Sequence, residues 1–182
     1  AANVASATFL TGLTSAYVHS GGGTINNGGN AITIGQPLLA PTGGGVSASS
    51  LSVSGGACID TPIVTVSGDG TGATAVANID ANGNLTGITI TNPGVGYTTA
   101  AITLTGGGIG NTAAVAGTPA IVANTSGGMT FNGAAVTTLT GANTYSGNTT
   151  NAEGAIQFDA TGTLGTGTLY LTGGNLVCNA DR

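Results

Sequence analysis

Short alternations of apolar and hydroxyl-bearing side chains recur along the chain: Ile32/Ile34, Leu51/Val53, Val64/Val66, Ile88/Ile90, Ile102/Leu104 and Leu169/Leu171 each flank a single Thr, Ser or Tyr. A period of two puts the apolar members on one side of an extended chain, so each run predicts a short strand with one face for a core. Between the runs stand Asn27-Gly28-Gly29, Asp69-Gly70, Asn82-Gly83, Asn92-Pro93-Gly94 and Asn132-Gly133, turn formers that keep connections short. No apolar i, i+3, i+4, i+7 pattern survives more than one turn before a glycine interrupts it. The expected class is all-β, with short strands in a repeat architecture. Two arrangements satisfy this alternation: a right-handed β-helix-like solenoid, which the repetition favours, or a β-sandwich or jelly-roll completed by a donated strand.

The middle of the chain repeats itself. Leu51-Ser52-Val53 lies on Ile88-Thr89-Ile90, Val64 to Gly70 on Ile102 to Gly108, and Thr74-Ala75-Val76-Ala77 on Ala113-Ala114-Val115-Ala116. The offset of about 38 residues is the scale of one arrayed β unit. Three regions follow: an N-terminal Gly/Asn-rich segment over 1–46, the pair of repeats over 47–118, and a C-terminal segment over 119–182.

Composition narrows the setting. Of 182 residues only 4% are charged, against roughly a quarter in ordinary globular proteins, while 35 are glycine. Mean hydropathy is +0.35 and net charge −5, which is the opposite of a disordered composition, so the chain is expected to fold. Arg182 is the single basic side chain. Without a basic patch there is nothing to neutralise phosphates or to meet an anionic bilayer, so nucleic acid is excluded as a partner. No run nears the roughly 20 apolar residues of a spanning helix, and no membrane insertion is expected. The absence of lysine also removes the amine of a Lys-Asn crosslink and leaves no internal site for trypsin-like proteases. Ala1-Ala2-Asn3 resembles a mature end left by removal of a signal peptide, so an extracellular or cell-surface location is expected.

The segment Leu139-Thr140-Gly141-Ala142-Asn143-Thr144-Tyr145-Ser146-Gly147-Asn148-Thr149-Thr150, followed by Gly154-Ala155-Ile156-Gln157, resembles the autotransporter-associated β-strand repeat. Leu164-Gly165-Thr166-Gly167 and Leu169-Tyr170-Leu171 look like that family's next turn and strand, so the resemblance spans about the last 60 residues. Ile88 to Tyr97 and Gly70 to Ala75 are similar to Gly-Tyr modules of large repetitive bacterial surface proteins. The resemblance implies a secreted, adhesin-like passenger of β-solenoid architecture with no catalytic residues to carry over. Asn151 and Glu153 depart from the family pattern, standing where it often has apolar or small residues.

Candidate chemistry is sparse. Six carboxylates are present, Asp60, Asp69, Asp80, Glu153, Asp159 and Asp181, but a polysaccharide-cleaving site would pair two or three of them with a basic residue. Glu153 and Asp159 share strand parity yet would stand roughly 20 Å apart by strand rise. Asp69 and Asp80 sit at glycine turns, where carboxylates commonly accept nearby amides and less often collect calcium. His19 has no second histidine and no cysteine at zinc spacing. The triplets Gly21-Gly22-Gly23, Gly43-Gly44-Gly45 and Gly106-Gly107-Gly108 open no helix and precede no lysine, so they read as turns rather than phosphate loops. Tyr17, Tyr97, Tyr145 and Tyr170 are equally suited to cross-strand packing and to stacking on sugars. No enzyme activity, cofactor or metal is expected.

Cys58 and Cys178 can form an intrachain disulfide, an intersubunit one, or remain as thiols. The stretch containing Phe9, Leu10, Leu13, Tyr17 and Val18 precedes the hinge at Gly21 to Gly23 and is a candidate donated strand. Strands rich in Thr and Val and free of lysine lack the usual guards against edge pairing. The expected function is therefore a structural, non-catalytic module of an extracellular bacterial surface assembly, a homopolymer joined through strand edges. The alternative is a monomeric adhesin fragment meeting glycans or matrix surfaces.

Overall fold

The computed structural model describes residues 1–159 and 161–178. Those residues hold strands, turns and bends and no helix, so the chain is all-β. The first five strands are β1 (Ser6–Leu10), β2 (Ala16–Tyr17), β3 (Gly23–Asn26), β4 (Ile32–Ile34) and β5 (Leu38–Leu39). Eight follow in the middle of the chain: β6 (Gly44–Ser47), β7 (Ser52–Ser54), β8 (Ile63–Gly68), β9 (Thr74–Ile79), β10 (Leu85–Asn92), β11 (Ala100–Thr105), β12 (Ala114–Ala116) and β13 (Ala120–Ala123). The last are β14 (Met129–Asn132), β15 (Val136–Leu139), β16 (Thr149–Asn151), β17 (Ala155–Phe158), β18 (Leu169–Leu171) and β19 (Asn175–Cys178).

Two compact units emerge. One joins Ala1–Pro41 to Thr125–Arg182, and the other is Thr42–Asn124. The segments that open and close the chain thus share one unit, and the repeat pair lies wholly within the other.

In the first unit every strand pairs in parallel. One sheet runs β1-β4-β15-β17-β19 and a second runs β3-β14-β16-β18. A third, shorter ladder begins with β2 against β5 and continues through Thr144 N to Leu38 O, the Ala142–Thr163 bridge and Thr166 N to Tyr145 O. The chain visits the three ladders in one cyclic order, four times over. Register is regular, with Met129 opposite Thr149 and Thr149 opposite Leu169, a step of 20 residues each time.

Alternation explains what fills the middle. Burial alternates along β4, β14, β15, β16 and β17, so equivalent positions of stacked strands form inward columns. Leu10, Ile34, Leu139, Phe158 and Cys178 make one column. Ile25, Phe131, Asn151 and Leu171 make another. The core cluster of Val18, Ile34, Leu38, Met129, Phe131, Leu139, Tyr145, Ile156 and Phe158 is assembled from these columns and the third ladder. Burying each large apolar side chain contributes about 1.5–3 kcal/mol, the main driving force for stacking strands this short.

The second unit is entirely antiparallel. β6 pairs with β13, β7 with β12, β8 with β11 and β9 with β10, a nested set closed by the turn at Asp80–Asn84. The repeats seen in the sequence correspond to β7-β8-β9 and β10-β11-β12, and each strand pairs only with a strand of the other repeat. The core is small: Val46, Tyr97 and Ala100, with Val66, Ala73, Ile90 and Ile121 against them. Gly70 passes so close to the Tyr97 ring that an added Cβ would lie 2.3 Å from it, which is why a glycine follows Asp69.

Candidate functional site

The motif of residues 139–150 turns out to be a set of structural contacts. Leu139 and Tyr145 are fully buried. Asn143 accepts the Leu38 amide on Oδ1 at 2.8 Å and donates Nδ2 to the Thr163 carbonyl at 2.6 Å. One side chain thereby ties the preceding and following passes of the third ladder. The Tyr145 hydroxyl lies 2.6 Å from Thr149 Oγ1 inside the core, and burial pushes its pKa up. Gly147 runs against the backbone of Gly127, where a Cβ would come within 2.2 Å. Asn143, Tyr145 and Gly147 thus each serve a specific packing or hydrogen-bonding contact.

The described carboxylates are scattered, Asp60, Asp80 and Asp159 each serving its own turn and Asp69 bonding a segment distant in sequence. Asp69 accepts from the Thr98 hydroxyl and from the amides of Thr99 and Thr98. In that order these donors hold its pKa well below the usual carboxylate range. Asp80 is lowered by the Asn84 side chain and amide and then the Asn82 amide. Asp60 accepts from Thr61 N, and Asp159 from Thr161 and Gly162. Glu153 is exposed in the turn before β17, and Asp159 follows that strand's other end. Asp181 and Arg182 lie outside the described residues. Among the described residues no three His, Cys, Asp or Glu side chains come close enough to hold a metal ion.

The tyrosines divide. Tyr97 and Tyr145 are core residues, whereas Tyr17 and Tyr170 are exposed. Tyr17 stands edge-on to His19 with ring centroids 6.4 Å apart. Cys58 is buried in the unit 42–124 and its thiol donates to Asn111 Oδ1 at 3.1 Å. Cys178 ends β19 in the other unit. Both are thiols in this structure.

The stretch considered as a donated strand pairs within its own chain. Ser6 and Leu10 stand opposite Ile32 and Ile34, Leu10 packs on the core, and Val18 is buried in it. Phe9, Leu13 and Tyr17 stay exposed. Its apolar side chains before a glycine hinge marked the stretch as a strand candidate but carried no information on which edge accepts it.

Two surface features were not visible in the sequence. First, Thr24, Thr130, Thr150 and Tyr170 are in register across β3, β14, β16 and β18, and the threonines border an open, uncharged groove with Gly22, Gly128 and Asn148. Second, β18 and β19 are the last strands of their sheets among the described residues, and their inward positions are exposed. Leu171 is 51% and Leu176 45% exposed, whereas Asn151 and Ile156, one step earlier in the same columns, are both 0% exposed. Only the pairing register, which links residues 20 apart in the C-terminal strands and Thr24 to the distant Thr130, brings out either feature.

No helix among the described residues is long and apolar enough to cross a membrane. No family model matches the chain, and neither a curated protein nor a solved structure is detectably similar to it.

Proposed function

We propose that this chain is a structural, non-catalytic module of an extracellular bacterial surface assembly, whose parallel ladders are successive turns of a β-solenoid and whose strand edges join copies into a filament. The observation that carries this reading is the run of parallel pairings, each in regular register with the one before it. The solenoid reading is supported by the cyclic visiting order and the 20-residue step, which are the topology of stacked turns rather than of two packed sheets. The non-catalytic reading is supported by carboxylates that stand in separate places, Asp60 and Asp159 accepting from their own turns and Asp69 from the segment at Thr98 and Thr99. Strands β1, β3, β18 and β19 carry no charged side chain, so the charged guards that block edge pairing are missing.

Negative-stain electron microscopy and sedimentation of the purified chain test this. Filaments that pellet are the expected result, and a monodisperse monomer at high concentration would refute it. A second reading, glycan contact by a monomer, is favoured by the uncharged groove beside Thr24, Thr130 and Thr150, since neutral hydroxyl and amide groups suit neutral sugars. Glycan-array binding by a monodisperse chain would select that reading.

A further inference from the structure

Three asparagines stand immediately before a glycine: Asn27, Asn82 and Asn132. At such a step the main chain can attack its own side chain, because a glycine has no Cβ to keep its amide nitrogen from the asparagine carbonyl. We propose that Asn132 and Gly133 form a self-modification site, at which Asn132 converts to aspartate and isoaspartate in the folded chain while Asn27 and Asn82 are held back. The chemistry is intrinsic to one chain and does not depend on the assembly proposed above.

The three steps differ in where the glycine amide points its hydrogen. At Asn27 both reacting groups are engaged elsewhere. Its side chain is buried, with Oδ1 accepting the Gly29 amide at 2.9 Å and Nδ2 donating to the Ala135 carbonyl at 2.8 Å. The Gly28 amide, which would be the nucleophile, donates to Asn26 Oδ1 at 2.7 Å. At Asn82 the Gly83 amide donates to the Asp80 carbonyl at 3.0 Å, a bond that closes the turn between β9 and β10. At Asn132 the Gly133 amide donates to the side chain of Asn132 itself, N to Oδ1 2.7 Å. Nucleophile and electrophile are already in contact there, and loss of the amide proton leaves the nitrogen lone pair directed at that same carbonyl group. Asn132 is half-buried and Ala134 beside it is exposed, so solvent reaches the turn.

Hydroxide takes the Gly133 amide proton, and the nitrogen bonds to Asn132 Cγ. The bond from Cγ to Nδ2 breaks, and the nitrogen leaves as ammonia with a proton from water. Water then opens the cyclic imide. Attack at Cγ gives aspartate, and attack at the main-chain carbonyl gives isoaspartate. One water is consumed and one ammonia released, with no change of oxidation state. Either product sets a carboxylate in a turn that has no charged side chain from Asn132 to Ala135. Isoaspartate also lengthens the main chain by a methylene, where there is little room: a Cβ on Gly133 would lie 2.2 Å from Asn27 Oδ1. The product therefore displaces Asn27, which joins the first pass of the parallel unit to the second through Ala135 and through its own amide on the Asn132 carbonyl at 2.9 Å.

The test uses the unaltered 182-residue chain, held at mildly alkaline pH in native buffer and, in parallel, in denaturant. Samples are digested with pepsin in acid, which halts further conversion, and each Asn-Gly site is quantified by mass spectrometry. Asn132 is expected to convert at least tenfold faster than Asn27 or Asn82 in the folded chain. In denaturant, where the three share only their dipeptide, the rates should converge. Isoaspartate at 132 is expected alongside aspartate, because direct hydrolysis of the side chain cannot form it. Asn132→Gln, whose longer side chain cyclises far more slowly, should abolish the rapid release of ammonia. Conversion of Asn82 as fast as Asn132 in the folded chain, aspartate alone at 132, or rapid ammonia release that survives Asn132→Gln would each overturn the assignment.

Discussion

Thr65 lies directly opposite Thr103 in the β8–β11 ladder, and the two are the same position of the repeated segment. Val66 faces Ile102 and Val64 faces Leu104, so exchanging the repeats maps the ladder onto itself about the Thr65–Thr103 pair. β7 against β12 and β9 against β10 complete the exchange. The unit 42–124 thus has the pairing of a two-fold dimer whose halves are joined in one chain by the Asp80–Asn84 turn.

Because Thr65 and Thr103 are exposed and directly opposed, charge placed there should couple. Thr65→Lys with Thr103→Glu is expected to be more stable than Thr65→Lys with Thr103→Lys. Cross-strand pairs contribute roughly 0.2–1 kcal/mol, and a double-mutant cycle by thermal unfolding measures this. Zero coupling would place the two side chains out of contact and contradict the register.

Asn143 bridges successive passes of the parallel unit, so Asn143→Ala should cost ~1–3 kcal/mol for each buried group left without a partner. Asn143→Asp keeps the acceptor for Leu38 N but sets a buried carboxylate oxygen against the Thr163 carbonyl, and should cost more than Asn143→Ala. Tyr145→Phe, which removes only the hydroxyl contact to Thr149, should cost about 0.5–1.5 kcal/mol. Chemical denaturation of the three variants ranks them. Equal stability of Asn143→Ala and the parent would remove the bridging role.

The pH dependence follows from the direction of the shifts. Asp69 and Asp80 have folded pKa values below the ordinary carboxylate value, so their contribution is present above about pH 4 and is lost as pH falls below it. Asp69→Asn with Asp80→Asn should melt lower than the parent at pH 7, and the gap should narrow as pH falls from 4 to 2. Tyr145 is raised by burial, so its contribution is complete below about pH 10 and is lost as pH climbs above it. Tyr145→Phe should flatten that alkaline decline. Parallel melting curves at every pH would be inconsistent with both assignments.

Thiol titration separates the cysteines. Cys58 is buried and its thiol is held by Asn111, while Cys178 is exposed. One thiol is expected to react quickly in the native protein, and both of the chain's two cysteines after denaturation. An oxidised pair would show no reactive thiol in either state until a reductant is added.

Much of the local structure was written in the alternation. Ile32-Thr33-Ile34, Val64-Thr65-Val66 and Ile102-Thr103-Leu104 are strands as their period of two requires. The glycines of Asn27-Gly28-Gly29 and Asn82-Gly83 adopt the positive φ of their turns. Short-range sterics and side-chain periodicity decide these features, and both act within a few residues.

Partners were not legible in that way, because alternation tells a strand which side faces inward and nothing about its neighbour. Ile32 and Thr137 became adjacent across the whole unit 42–124. The repeats paired with each other and not within themselves, Tyr97 and Tyr145 went to cores while Tyr17 and Tyr170 stayed outside, and Asp69 found Thr98 and Thr99. By itself the sequence determined the all-β class, the strands at the six alternating runs and the scarcity of charge. Tertiary structure alone decided parallel against antiparallel pairing and the union of the segments 1–41 and 125–182 in one unit, because these depend on burying apolar surface contributed by residues distant in sequence.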